Sequence, residues 1–141
     1  MKIVQAILFI HLFVCLGFAQ EDQEAKYDYI ASFGEHGHAS FAVVRLENRY
    51  GLIDRQGKEV IPPEYDKIYS FGSSGLNWAK VQKNNRYGFI DRTGAIIIKP
   101  IYDRIYSFGD KNVNWALVLR DGLYGFIGRS GAEVVPTIYS D

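Results

Sequence analysis

Tyr-Gly occurs three times in this chain, at Tyr50-Gly51, Tyr87-Gly88 and Tyr124-Gly125, with 37 residues from each copy to the next. An aromatic followed by alanine keeps the same interval at Phe41-Ala42, Trp78-Ala79 and Trp115-Ala116. The octapeptide Tyr65-Asp66-Lys67-Ile68-Tyr69-Ser70-Phe71-Gly72 returns as Tyr102-Asp103-Arg104-Ile105-Tyr106-Ser107-Phe108-Gly109, with one Lys-to-Arg change. A looser copy, Tyr27-Asp28-Tyr29-Ile30-Ala31-Ser32-Phe33-Gly34, precedes both, with one residue inserted before Phe41. Such a period marks a supersecondary unit that cannot bury its apolar face alone and gains a core by stacking on its neighbours. The units run 27–64, 65–101 and 102–138, and Tyr139 opens a partial fourth.

Turn chemistry sets the elements within each unit. Glu47-Asn48, Asn84-Asn85 and Asp121-Gly122 separate extended apolar runs. A type I′ hairpin turn needs positive φ at both central residues, which Asp-Gly satisfies best and Glu-Asn least. The next turns are Arg55-Gln56-Gly57, Arg92-Thr93-Gly94 and Arg129-Ser130-Gly131. Their glycines fit the left-handed position of a three-residue hairpin with a bulge. Asp54 and Asp91 precede these turns and can accept backbone N–H bonds there, whereas the third unit has Gly128. β-branched runs such as Ile96-Ile97-Ile98 follow, closed by Pro62-Pro63, Pro100 or Pro136. Each unit is therefore expected to be three or four short antiparallel strands in a meander.

Pairing across the first turn sorts the residues into two faces. Ala79, Val81, Gly88 and Ile90 share one face, and the set is identical in the other units (Ala42, Val44, Gly51, Ile53; Ala116, Val118, Gly125, Ile127). This thin apolar face is where a neighbouring sheet is expected to pack, and its glycine leaves space for an aromatic over the strand. The other face varies. It carries Phe41, Val43, Arg45, Tyr50, Leu52 and Asp54 in the first unit, and Trp78, Lys80, Gln82, Tyr87, Phe89 and Asp91 in the second. In the third it carries Trp115, Leu117, Leu119, Tyr124, Phe126 and Gly128, the most apolar set, either more buried or an exposed patch. The candidate binding residues lie here: Phe41, Trp78, Trp115, Tyr50, Tyr87 and Tyr124 as platforms for sugar rings or peptide side chains, with Arg45 and Lys80 beside them. The competing reading is that these aromatics form the core.

Residues 1–19 read as a secretory signal peptide: Lys2, an apolar run, then Gly17-Phe18-Ala19 before the polar Gln20-Glu21-Asp22-Gln23-Glu24. Residues 20–26 form an acidic linker, and residues 27–141 the repeat domain. A retained anchor and lipid attachment at Cys15 are the other readings of the apolar run. Cys15 is the one cysteine and leaves with the signal, so no disulfide or thiol chemistry is expected. The expected location is periplasmic, cell-surface or secreted, with no membrane span after cleavage. With 16 Lys+Arg against 16 Asp+Glu, the chain lacks the basic excess that a nucleic-acid grip needs.

Catalytic and metal constellations are sparse. His36-Gly37-His38 could converge on one ion but needs further ligands, for which Glu35 and Asp28 are the nearest options. The equivalent regions, Ser73-Ser74-Gly75 and Asp110-Lys111-Asn112, repeat no ligand set, so no metal and no cofactor are expected. Asp54 and Asp91 could serve as a glycosidase carboxylate pair, but their place before a turn favours a structural role. No nucleophile triad, phosphate loop or zinc-protease motif is present.

At these residues the chain resembles the WG-repeat family, whose unit reads roughly Trp-Gly-Phe-Ile-Asp-x-x-Gly, a β-branched run, Pro, Tyr-Asp and Phe-Gly. Tyr87-Gly88-Phe89-Ile90-Asp91-Arg92-Thr93-Gly94, Pro100, Tyr102-Asp103 and Phe108-Gly109 follow that order, with Tyr in place of Trp in all three copies. The resemblance implies an all-β repeat architecture and no established catalytic residues. The expected fold is three antiparallel β-meander repeats stacked as an open array or solenoid, with a closed pseudo-threefold, β-trefoil-like or propeller-like arrangement as the alternative. The expected function is an exported, non-enzymatic binding or interaction protein with a protein or glycan partner, able to form homo-oligomers through sheet edges. A hydrolase acting on glycans or peptides, or a self-associating structural envelope protein, are the other readings.

Overall fold

The two-residue turns fix the register of everything around them. Glu47 and Asn48 (φ 49° and 62°), Asn84 and Asn85 (50° and 62°) and Asp121 and Gly122 (54° and 81°) are all left-handed, the type I′ signature. Even Glu47 adopts it, with its N–H donating to Asp28 Oδ2 at 2.8 Å. The computed structural model describes residues 25–35, 40–72, 77–108 and 114–140. The signal-peptide reading of residues 1–19, the His36-Gly37-His38 reading, and the Ser73-Ser74-Gly75 and Asp110-Lys111-Asn112 regions lie wholly or mainly outside them.

The first sheet holds β1 (Tyr29–Ile30), β2 (Phe41–Leu46), β3 (Arg49–Asp54) and β4 (Glu59–Tyr65). The second holds β5 (Lys67–Ile68), β6 (Ala79–Lys83), β7 (Arg86–Ile90) and β8 (Ile96–Tyr102), and the third β9 (Arg104–Ile105), β10 (Trp115–Arg120), β11 (Leu123–Gly128) and β12 (Glu133–Tyr139). Each is a four-stranded antiparallel meander in sequence order. The pairing deduced from the turns holds: Ala79 faces Ile90, Lys80 faces Phe89 and Val81 faces Gly88, with the same partners one repeat earlier and later. Tyr65, Tyr102 and Tyr139 end β4, β8 and β12, so each sheet closes on the Tyr at which the sequence repeat restarts, one residue past the sequence unit.

Two local expectations change. The prolines do not close the β-branched runs; Pro62, Pro63, Pro100 and Pro136 lie inside β4, β8 and β12. There Tyr50 pairs with Tyr65 and Leu52 with Ile61, so Gly51 alone faces Pro62, Pro63 and Glu64. A bulge on an edge strand is where a residue without N–H is tolerated. The bulge also explains Tyr-Gly: a Cβ on Gly51 would lie 2.5 Å from the Ile61 carbonyl oxygen, and one on Gly125 2.7 Å from that of Val135. These glycines make room for their own sheet's backbone, and no aromatic from elsewhere is needed to account for them.

The sheets stack face to face in an open array. The variable face of the first sheet (Phe41, Leu52, Ile61, Tyr65) buries itself with Phe71 on the thin face of the second (Ala79, Val81, Ile90). Phe89, Ile98 and Tyr102 do the same, with Ile105 and Phe108, on Ala116, Val118 and Ile127. Leu52 and Ile61 are fully buried, and each such side chain contributes about 1.5–3 kcal/mol by leaving water. Second-turn glycines touch the preceding sheet, Gly94 against Val60 and Gly131 against Ile97, whereas a Cβ on Gly57 would meet nothing within 4 Å among the described residues. Arg49 reaches Asp66 and Arg86 reaches Asp103, ion pairs that are part-exposed and set register more than stability. The thin face of the first sheet, Ala42, Val44 and Ile53, packs with Tyr27.

Candidate functional site

The stacking divides the eight candidate residues. Phe41 is buried against Phe71 with ring centroids 6.0 Å apart, so it is core and offers no platform to a ligand. Trp78 is half-buried between Phe89 and Phe108, each 6.0 Å away. Tyr87 packs against the same core, and Lys80 Nζ stands 4.7 Å from its ring and 5.7 Å from that of Tyr69. Burial lowers the Lys80 pKa. Arg45, Tyr50, Trp115 and Tyr124 fall on two other surfaces.

Arg45 and Tyr50 line a groove of about 620 Å³ between the first sheet and β5 of the second. Ala31 is its cause. The octapeptide comparison puts Tyr69 and Tyr106 at the corresponding positions. In the second unit, Tyr69 fills the equivalent space beside Lys80 and Tyr87, where burial, then Tyr87, raises its pKa. In the first unit that phenol is missing. Sequence reading paired the two octapeptides but did not use the Tyr-to-Ala difference, which was the visible signal.

The groove is chemically mixed. Tyr29 and Tyr50 supply rings, Val43 and Ile68 an apolar floor, and Lys67 and Asp66 charges, with the backbone stretch through Tyr69 closing one side. Asp66 is engaged by Arg49 and by the Asn85 N–H at 3.3 Å. Arg45 differs. Its guanidinium lies 5.8 Å from the Tyr29 ring, and its Nε is buried with no hydrogen-bond acceptor among the described residues. Leaving such a donor unsatisfied costs about 1–3 kcal/mol. The corresponding positions hold Gln82 and Leu119, so the cation belongs to this groove alone.

The second surface is the variable face of the third sheet. Trp115 is 50% exposed and Phe126 36%, their rings 6.2 Å apart. Leu117, Leu119 and Tyr124 lie half-buried beside them, and Tyr139, paired with Tyr124, is exposed. None of these carries a charge. Among the described residues no sheet covers this face, so it is the exposed patch that its apolar composition allowed. Leu123 stands where Arg49 and Arg86 stand, and Ser140 where Asp66 and Asp103 stand, so both halves of the inter-sheet ion pair are replaced.

Asp54 and Asp91 are occupied by their turns. Asp54 Oδ1 accepts the N–H groups of Gln56 and Lys58, each at 2.9 Å. Asp91 Oδ1 accepts the Thr93 hydroxyl at 2.6 Å and the N–H groups of Thr93 and Ala95 at 2.8 and 3.0 Å. The Thr93 hydroxyl, then these backbone N–H groups, hold the Asp91 carboxyl below its ordinary pKa, the opposite of what a general acid needs. Among the described residues no three His, Cys, Asp or Glu cluster as metal ligands, and no helix is long and apolar enough to cross a membrane.

A family model described as "WG containing repeat" matches residues 50–87 and 87–124, together more than half of the 141 residues. Each match runs from one Tyr-Gly to the next and so straddles two sheets. No curated protein and no solved structure matches the chain.

Proposed function

The chain belongs to the WG-repeat family, and from that premise we propose that it is an exported, non-enzymatic binding protein that pairs with a second copy of itself through the third sheet. Export rests on the layout of residues 1–24, a charged start, an apolar run and a small-x-small site. The non-enzymatic reading draws support from Asp54 and Asp91, whose oxygens are engaged by their own turns.

One observation carries the pairing. Among the described residues the variable faces of the first two sheets each receive a neighbour, and that of the third presents Trp115 and Phe126 uncovered. A further repeat of the usual kind would be clamped by an Arg–Asp pair, and Leu123 and Ser140 remove both partners. A two-fold axis instead sets the uncharged face against itself and strands no charge. Edge pairing, the route expected from sequence, is disfavoured by two-residue outer strands on one side and proline-bearing ones on the other.

Sedimentation velocity across a wide concentration range tests this. The wild type should pass from monomer to dimer, and Phe126→Glu should stay monomeric with an unchanged β-sheet spectrum. A monomeric wild type at every concentration overturns the pairing. Turnover of a glycan or peptide by the purified chain overturns the non-enzymatic reading.

A further inference from the structure

We infer that the groove between the first sheet and β5 binds a short acidic oligosaccharide, with a uronate carboxylate on Arg45 and sugar rings on the surrounding tyrosines. Three observations converge. The cavity, about 620 Å³, is within the size of ordinary small-ligand sites and far larger than an inorganic anion requires. Its walls include Tyr29 and Tyr50, flat faces suited to the C–H faces of pyranose rings. Arg45, which has no acid partner among the described residues, holds its guanidinium 5.8 Å from the Tyr29 ring, where its fork can meet a carboxylate. Asp66 offers an acceptor to sugar hydroxyls.

An acidic peptide fits less well. Strand addition needs a length of free edge, and the strands flanking the groove, β1 and β5, have two residues each. The groove is also specific to the first unit. Ala31 opens it and Arg45 charges it, and the second unit has Tyr69 and Gln82 at those positions.

Those two differences supply the test, because each substitution installs the residue that the second unit already uses. Titration calorimetry of the full chain would use trigalacturonate, with cellotriose as the neutral sugar and triglutamate as the acidic peptide. Trigalacturonate should bind, more weakly as salt rises, and cellotriose at least about tenfold more weakly, since one charge-assisted hydrogen bond is worth about that factor or more. Arg45→Gln should lose a similar factor, and Ala31→Tyr should abolish binding with thermal unfolding no lower than wild type. No heat with trigalacturonate, equal affinity for triglutamate, or unchanged affinity in both folded variants overturns the inference. Phe126→Glu should leave the affinity unchanged, so this inference and the pairing of third sheets fail separately.

Discussion

The indole of Trp78 meets the ring of Phe108 edge-on, with centroids 6.0 Å apart, across the boundary between the second and third sheets. Phe41 and Phe71 bridge the first and second sheets one repeat earlier, with the rings tilted at 41°. Trp115 has only its own sheet's Phe126 as a ring partner among the described residues. In dilute solution acrylamide should therefore quench Trp115 readily and Trp78 poorly. Trp115→Phe should remove the red-shifted emission, and Trp78→Phe should leave it. By urea unfolding, Trp78→Ala should cost about 3 kcal/mol and Trp115→Ala no more than about 0.5 kcal/mol. Equal costs would contradict the stacking order.

Gly88 tests the bulge. Its missing Cβ would run into the Ile98 carbonyl and the Pro100 nitrogen, backbone atoms that cannot swing away. Gly88→Ala should destabilise by about 1–3 kcal/mol, as overpacking does. Gly128→Ala, whose nearest neighbour would be Val134 Cγ2 at 3.4 Å, should change stability by less than about 0.5 kcal/mol. Denaturant midpoints of the pair decide the matter.

Gly128 also stands where the other units use Asp54 and Asp91. The turn geometry is the same, with the Gly131 N–H donating to the Gly128 carbonyl at 3.0 Å. Gly128→Asp should let the new carboxylate accept the N–H groups of Ser130 and Ala132 and stabilise the chain by about 1 kcal/mol. A fall in the unfolding midpoint would show that the third turn differs from the first two.

Asp91 gives a pH dependence of definite sign. Its carboxyl pKa is lowered from 3.8, chiefly by the Thr93 hydroxyl. Its stabilisation is present in full above that ordinary value and lost as pH falls through the lower, folded-state value. Thermal unfolding followed through the acid range should show a steeper decline below pH 3.8 in the wild type than in Asp91→Asn. At neutral pH the variant should be less stable by about 1 kcal/mol. Parallel acid profiles would remove Asp91 from the account.

Sequence carried the period, the turns and the strand register, because each depends on residues within a few positions of one another. Asn84-Asn85 alone sets Ala79 opposite Ile90. The bulge at Pro62 and Pro63 stayed hidden, because a proline after a β-branched run reads as a stop until Gly51 is seen beneath it. The site was legible in part. Arg45, Tyr50 and Trp115 stood among the candidates, but alternation along a strand cannot separate a face covered by the next sheet from one left open. Phe41 and Trp115 occupy equivalent positions, one buried and one half exposed. What separates them is the neighbour, Phe71 for the first and no equivalent ring for the second among the described residues.

Strand order within each sheet has a consequence for how the chain folds. Among the described residues every strand pairs only with its sequence neighbours, so a sheet can close from a short stretch of chain with little loop-closure entropy, a topology associated with fast folding. The faces then make neighbouring sheets depend on one another, and synthesis from the N-terminus supplies the order. Phe41, Leu52 and Ile61 stay wet until Ala79, Val81 and Ile90 arrive, and the second sheet waits in turn for Ala116 and Val118. During synthesis each completed sheet would serve as the template on which the next condenses, so maturation proceeds as a vectorial zipper from the first repeat to the third.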